Sequence, residues 1–360
     1  MKEFLKKKDI EISAKRYLID ALGAMAQGLF CTLLIGTILN TLGTLGIGIF
    51  SMPVYTNGDV SYTIGGLASA MVGPAMAVAI GYALKAKPLV LFSLIPVGFA
   101  TNMMGGAGGP LAVLVVAIIA AEFGKLVVGE TKVDILVTPI VTILVGIGIA
   151  YFIAAPIGAG ASYVGTLIMW ATELQPFLMG ILVSVLVGMA LTLPISSAAI
   201  CAALSLTGFA GGAAVAGCCA QMVGFAVMSF KENGVGGLVS QGIGTSMLQV
   251  PNIVKNPRIW IPPILTSAVT GPLATCVFRM QMNGAAVSSG MGTCGLVGQI
   301  GVYTGWISDI AQGTKAAITA MDWAGLVLIC FVLPAVLTPL FAAPMRKAGW
   351  IKENDLKLPE

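Results

Sequence analysis

Apolar residues run along this chain in blocks of about twenty, and polar residues collect at the joints between them. The blocks span roughly 22–42, 62–84, 88–107, 109–128, 135–155, 176–192, 193–207 (short), 209–229, 259–278 and 323–344. About twenty helical residues cross the hydrocarbon of a bilayer, so the pattern predicts an all-α polytopic membrane protein with about ten transmembrane helices. Ahead of the first block, Ile10, Ala14, Tyr17, Leu18, Ala21 and Leu22 share one helical face, while Asp9, Glu11, Lys15 and Arg16 fall elsewhere. That spacing predicts an amphipathic helix lying on the membrane surface.

One stretch, Gly234 to Trp306, breaks the pattern. It is apolar enough for membrane depth, yet Gly and Pro interrupt it and Ser, Thr, Asn and Gln recur through it. Irregular backbone at that depth survives only where protein buries it or where it lines a wet cavity. Broken helices of this kind point to a transporter's binding site. The expectation is two re-entrant hairpins, about 235–250 and 284–305, with 259–278 crossing between them.

Composition agrees. Hydrophobic residues make up 57% and charged residues 9%, with a mean hydropathy of +0.97, against roughly a quarter charged in soluble domains. The longest polar segments, at the two ends, are too short to fold alone. The net charge of +4 does not indicate nucleic acid. Its largest cluster, Lys2, Lys6, Lys7, Lys8, Lys15 and Arg16, precedes the first apolar block, where cytoplasmic retention and anionic lipid explain it. A cleaved signal peptide does not fit, because that block is too long and no small-residue cleavage site stands out. With the N-terminal cluster, 85–87, 125–132, Lys231 and 346–357 inside and Asp59 and Glu173 outside, both termini are expected in the cytoplasm. The seven cysteines all fall in apolar segments and read as buried small hydrophobes rather than disulfides. Histidine is absent, which excludes a His metal site, a His base and a phosphohistidine within this chain. No metal or cofactor is expected.

The candidate chemistry lies in the broken stretch. Thr245, Ser246, Gln249, Asn252 and Asn256 in its first part, and Ser288, Ser289, Thr293 and Gln299 in its second, offer donors and acceptors of the kind sugar hydroxyls require. The competing reading is that they satisfy backbone freed by Gly and Pro. Gly242, Gly244, Gly290 and Gly292 suit close backbone approach or hinge-like turns. Arg279 ends a span, where it either snorkels or attracts an anion. Lys255 and Arg258 suit a cytoplasmic mouth. Asn102, Ser196 and Ser197 read as structural, Glu122 and Lys125 as an interfacial ion pair, and Asp309 and Asp322 as interfacial. No acidic residue occurs from Asn233 to Ser308, which disfavours carboxylate-based ion coupling there.

VPNIVKNPRIWIPPILTSAVTGPL (250–273) and TKVDILVTPIVTILVGIGIAYFIAAPIG (131–158) resemble segments of sugar phosphotransferase-system IIC permeases. GTSMLQVPNIVKNPRIWIPP and SGMGTCGLVGQIG are similar to the IIC-like branch that includes perfringolysin-regulator-type membrane proteins. The resemblance implies a glucose-superfamily, elevator-type homodimer in a bacterial cytoplasmic membrane. Its parts would be a cytoplasmic segment 1–21, a scaffold half 22–175, a transport half 176–345 and a cytoplasmic tail 346–360. It also implies a sugar-like solute, with phosphate supplied by separate IIA and IIB proteins. The Glu-Pro turn of glucose-type relatives is replaced here by Gly244-Thr245-Ser246, and their mobile-half histidine is missing. Two alternatives therefore stay open: a membrane-bound regulator without coupled transport, and a secondary transporter of an organic anion.

Overall fold

The computed structural model describes Leu5 and residues 7–44, 46–58 and 60–358; Lys2, Lys6 and Asp59 lie outside the described residues. The chain divides into two compact units, Met1–Ala161 and Ser162–Glu360. The division falls inside one long helix.

In the first unit, α1 (Lys15–Gly43) is followed by a short hairpin of β1 (Tyr55–Asn57) and β2 (Val60–Tyr62). This hairpin is a small addition to an otherwise helical chain, and its two triplets flank Gly58-Asp59, a two-residue hairpin signal. Helices α2 (Ile64–Ala70) and α3 (Val72–Ala83) form one run bent by 50°. Thr63 starts it by accepting the Gly66 amide at 3.0 Å, as an N-cap does. Helices α4 (Pro88–Gly105) and α5 (Gly109–Val127) pack antiparallel, joined through Gly106 at φ 50°. A Cβ on Gly124, late in α5, would stand 2.6 Å from Val90 Cγ1, early in α4. Helix α6 (Asp134–Thr172) exposes Ile135, Leu136, Ile140, Leu144, Tyr151 and Phe152, and its apolar window is only 22% buried. Apolar surface on that scale is stable in lipid, not water.

The separate surface helix expected over 9–22 is corrected. Residues 10–13 are not helical, and Lys15 onward belongs to α1. Arg16 is buried, because it bonds Asp9 (2.8 Å) and the Leu84 carbonyl (2.9 Å). Lys125 donates to the same carbonyl at 2.9 Å and pairs with Glu122 at 3.1 Å. The Glu122–Lys125 ion pair exists, with the lysine nearly enclosed by protein.

The second unit is built around α9 (Gly208–Met228), whose apolar window is 94% buried. At 1.5 Å per residue its length matches the bilayer's hydrocarbon, about 30 Å. Helices α7 (Pro176–Thr192) and α12 (Pro257–Val277) pack on it and on each other, and α14 (Ala320–Lys347) closes the group. Gly217 permits the α7 crossing: a Cβ there would overlap the Ser184 carbonyl. The expected short span 193–207 is not one. Pro194 and the Ser196 cap start α8 (Ser197–Ala203) only at Ser197, and Ser205, at φ 49°, turns the chain out of it.

Among the described residues, six helices are long and apolar enough to cross a membrane, or seven with α2–α3 as one span. One of the six, Pro88–Val127, is the antiparallel α4–α5 pair.

Candidate functional site

Both broken stretches fold as hairpins. The first descends through α10 (Phe230–Val239), turns at Ser240–Gly244 and returns through a tight turn, Ser246–Gln249, into α11 (Val250–Lys255). Thr245 is extended there (φ −158°, ψ 141°), and its Oγ1 accepts the Met247 amide at 3.2 Å. In the second hairpin, residues 283–290 run back along α13 (Val297–Ala311). A Cβ on Gly305 would lie 2.8 Å from the Asn283 nitrogen, and one on Gly301 2.5 Å from Ser288 Cβ. Its tip holds Gly292, Gly295 and Leu296 at φ 52°, 53° and 59°. Left-handed backbone is unfavourable for leucine and concentrates at functional sites. The two tips, Ser240–Gly244 and Cys294–Leu296, lie against each other beside α9.

Two polar networks support this arrangement. In the first, Ser246 and Thr192 share a hydroxyl bond of 2.8 Å. Thr192 (3.2 Å) and the Trp260 indole (2.8 Å) both donate to Gln221 Oε1, and Gln221 Nε2 reaches Ser267 at 3.4 Å. In the second, Gln241 donates to Ser229 (2.9 Å), Gln249 donates to Gln241 (2.8 Å), and Asn252 donates to Gln249 (2.8 Å). Gln221 and Gln241 were not among the sequence candidates. Their signal is a lone amide inside an apolar run, which is costly in lipid without a partner.

The sequence candidates therefore separate. Gln249, Asn252 and Asn256 gather at the base of the first hairpin, where each also donates to the segment after α14. Ser246 and Thr245 sit at its turn. In the second hairpin, Ser289 donates to the Leu206 carbonyl (2.6 Å), Ser197 donates to the Gly290 carbonyl (2.7 Å), and Thr293 faces Met222 Sδ (3.5 Å). Gln299 Nε2 meets Cys219 Sγ at 3.2 Å, while its Oε1 is buried with no partner. Among the described residues it is the one such oxygen on a neutral side chain. A stranded buried acceptor costs about 1–3 kcal/mol, and in a native protein it calls for a bonding partner to explain it.

Of the glycines, Gly290 and Gly292 are sites of close approach: a Cβ would stand 2.5 Å from the Ser197 oxygen and 2.6 Å from Cys218 Cβ, respectively. Gly242 is not, with its nearest neighbour at 3.5 Å, and Gly244 closes the first turn.

Arg279 belongs elsewhere. With φ 48°, it stands over the Phe209 ring (5.9 Å) at a cavity of about 430 Å³ shared with Gln281, Asn283, Asp309, Lys315 and Asp322. There Asn283 bonds Asp309 and Lys315 pairs with Asp322, each at 2.8 Å. No group of three or more metal-ligating side chains occurs among the described residues.

A family model described as "Phosphotransferase system, EIIC" matches residues 19–358, nearly the whole chain. No curated protein and no solved structure matches.

Proposed function

Because the chain belongs to the phosphotransferase-system EIIC family, we propose that it is a permease subunit moving one small polyhydroxylated solute, a sugar or sugar derivative, across a bacterial cytoplasmic membrane. The hairpins are the solute-handling part and α7, α9, α12 and α14 their frame. Phosphoryl transfer falls to separate IIA and IIB proteins, consistent with the absence of histidine. Lys255 and Arg258 mark the face for them. Assembly as a homodimer with an elevator-like transport half, about ten crossings and both termini in the cytoplasm belong to the same proposal.

The observation that carries it is Gln299 Oε1, a stranded acceptor just behind a strained hairpin tip that abuts the other tip. A solute hydroxyl donating to it would supply the missing bond. Gln249, Asn252 and Asn256 add amide donors and acceptors along the first hairpin, with Thr245, Ser246 and Thr293 at the turns.

The experiment is uptake of radiolabelled hexoses, pentoses and hexitols into proteoliposomes, comparing wild type with Gln299→Leu. A net hydrogen bond of about 0.5–1.5 kcal/mol converts to a roughly two- to tenfold lower kcat/KM. Equal uptake by the two proteins removes Gln299 and the site built on it.

A sensing role without translocation is the second reading. It is favoured by the first hairpin's amides being engaged within the chain. It predicts solute-induced thermal stabilisation with no uptake.

A further inference from the structure

After α14, the chain turns at Gly349 (φ 72°) and returns across the base of the first hairpin. Two side chains anchor this segment. Ile351 and Leu356 are fully buried among Phe225, Met228, Ile253, Ile259, Ala342 and Met345. Trp350 lies under the Arg258 guanidinium, 5.5 Å from the ring centre. The rest of the attachment is unusual for a polar tail, because side-chain amides hold its main chain.

The Leu356 carbonyl accepts from Gln249 Nε2 (3.0 Å) and Asn233 Nδ2 (2.8 Å). The Lys357 carbonyl accepts from Asn252 Nδ2 at 2.9 Å. The Trp350 carbonyl and the Asp355 carboxylate both accept from Asn256 Nδ2, at 2.9 and 2.8 Å. Asn233 also accepts the Leu358 amide through Oδ1 at 2.8 Å, so it grips the backbone at two points, as a neighbouring β-strand would. Three of these four amides, Gln249, Asn252 and Asn256, are those the sequence marks for solute contact.

The segment also sits at a water boundary. A cavity of about 900 Å³ opens beside it, lined by Lys231, Glu232, Arg346, Lys352, Glu353 and Asn354 among others. Lys352, Glu353 and Asn354 are exposed. Apart from Ile351, Leu356 and the Arg258–Trp350 contact, the segment is held by six side-chain amide hydrogen bonds, one of them to the Asp355 carboxylate. Hydrogen bonds at a wet edge open at lower cost than a packed core. An oxygen-rich solute offers those amides the same kind of partner that the tail's carbonyls do.

We propose that residues 350–358 form a built-in competitor for the hairpin amides. Seated, the segment satisfies Gln249, Asn252 and Asn256 and closes the base of the first hairpin. Displaced, it frees them for the solute, so docking of the tail regulates passage. This rests on the reading that the hairpins handle the solute.

The test locks the tail. Lys231→Cys and Lys352→Cys place thiols on the same cavity without touching the hairpin amides. The exposed Cys31 and Cys276 are changed to serine, and the other five cysteines are buried. Crosslinking in proteoliposomes with a short reductant-cleavable bis-thiosulfonate should lower uptake of the best-transported panel sugar at least tenfold, and reductant should restore it. Uptake unaffected by the crosslink overturns the proposal. Independently, Leu356→Asp removes the buried anchor and should lower the KM for the same sugar several-fold; a folded protein with an unchanged or raised KM overturns it as well. If Gln299→Leu lowers uptake and the crosslink does not, the tail proposal alone fails. If Gln299→Leu has no effect, the site reading fails first.

Discussion

Replacing Gln241 with leucine tests whether the polar chain inside the first hairpin is structural in the sense described here. Gln241 is fully buried. It donates to Ser229 Oγ and the Gly237 carbonyl, each at 2.9 Å, and accepts from Gln249 at 2.8 Å. Leucine has a similar volume, so little cavity forms. The damage is chemical: one Gln249 N–H and the Ser229 oxygen lose their partner while buried. Stranded buried groups cost about 1–3 kcal/mol each, so the expected loss for the two is about 2–6 kcal/mol. The bond itself is a smaller effect, since side-chain hydrogen bonds between membrane helices average about 0.6 kcal/mol. The size of the loss therefore separates stranding from simple bond deletion.

At about 2–4 °C per kcal/mol for a unit of this size, thermal unfolding in detergent should shift down by about 4–24 °C. Gln312→Leu is the control, because Gln312 is exposed and bonds only Ser308 at 2.9 Å, and it should barely move the transition. Removing both partners together, Gln241→Leu with Gln249→Leu, should cost less than the sum of the single changes. A Gln241→Leu transition no lower than that of Gln312→Leu, or a strictly additive double variant, refutes the reasoning.

Two further outcomes follow from the geometry. Gly292→Ala puts a Cβ on left-handed backbone and 2.6 Å from Cys218 Cβ; it should destabilise the protein by about 2–4 kcal/mol, read as a lower unfolding temperature, whereas Gly242→Ala, with 3.5 Å of room, should be tolerated. The Arg16 guanidinium bonded to Asp9 holds that carboxyl below the usual aspartate range, so the contact contributes above the ordinary aspartate pKa and is lost as pH falls through the lowered value. A nitroxide at Ile12→Cys should therefore gain mobility only as pH falls below the ordinary aspartate range, through that lowered value, and Asp9→Asn should show that mobility already at neutral pH.

The elements were legible where their cause is local. Transfer of some twenty apolar side chains decides a span whatever the rest of the chain does, and α1, α4, α5, α9, α12 and α14 all overlap the expected blocks, with α1 beginning seven residues before its own. The breaks in the helices were legible because Gly interrupts them in place, as at Gly244 and Gly292. What the sequence hid depends on distant partners. Gln249 meets the Leu356 carbonyl across 107 residues, and no local pattern distinguishes that amide from one awaiting a solute. Ile351 and Leu356 stand in a polar stretch that reads as solvated until Phe225 and Met345 surround them. Arg16 reads as a headgroup contact until the Leu84 carbonyl claims it.

The central claim is that the two hairpin tips line a watery solute path within the membrane. Ile243 and Leu296 each expose 40% of their surface at those tips, and Leu144 on α6 exposes 67% on an apolar helix. Each is changed to cysteine and treated in proteoliposomes with a membrane-impermeant thiol reagent. The account predicts that Ile243→Cys and Leu296→Cys react and that the transported sugar slows both, while Leu144→Cys stays unlabelled. Tips as inert as Leu144→Cys, or labelled at a rate the sugar leaves unchanged, would contradict it.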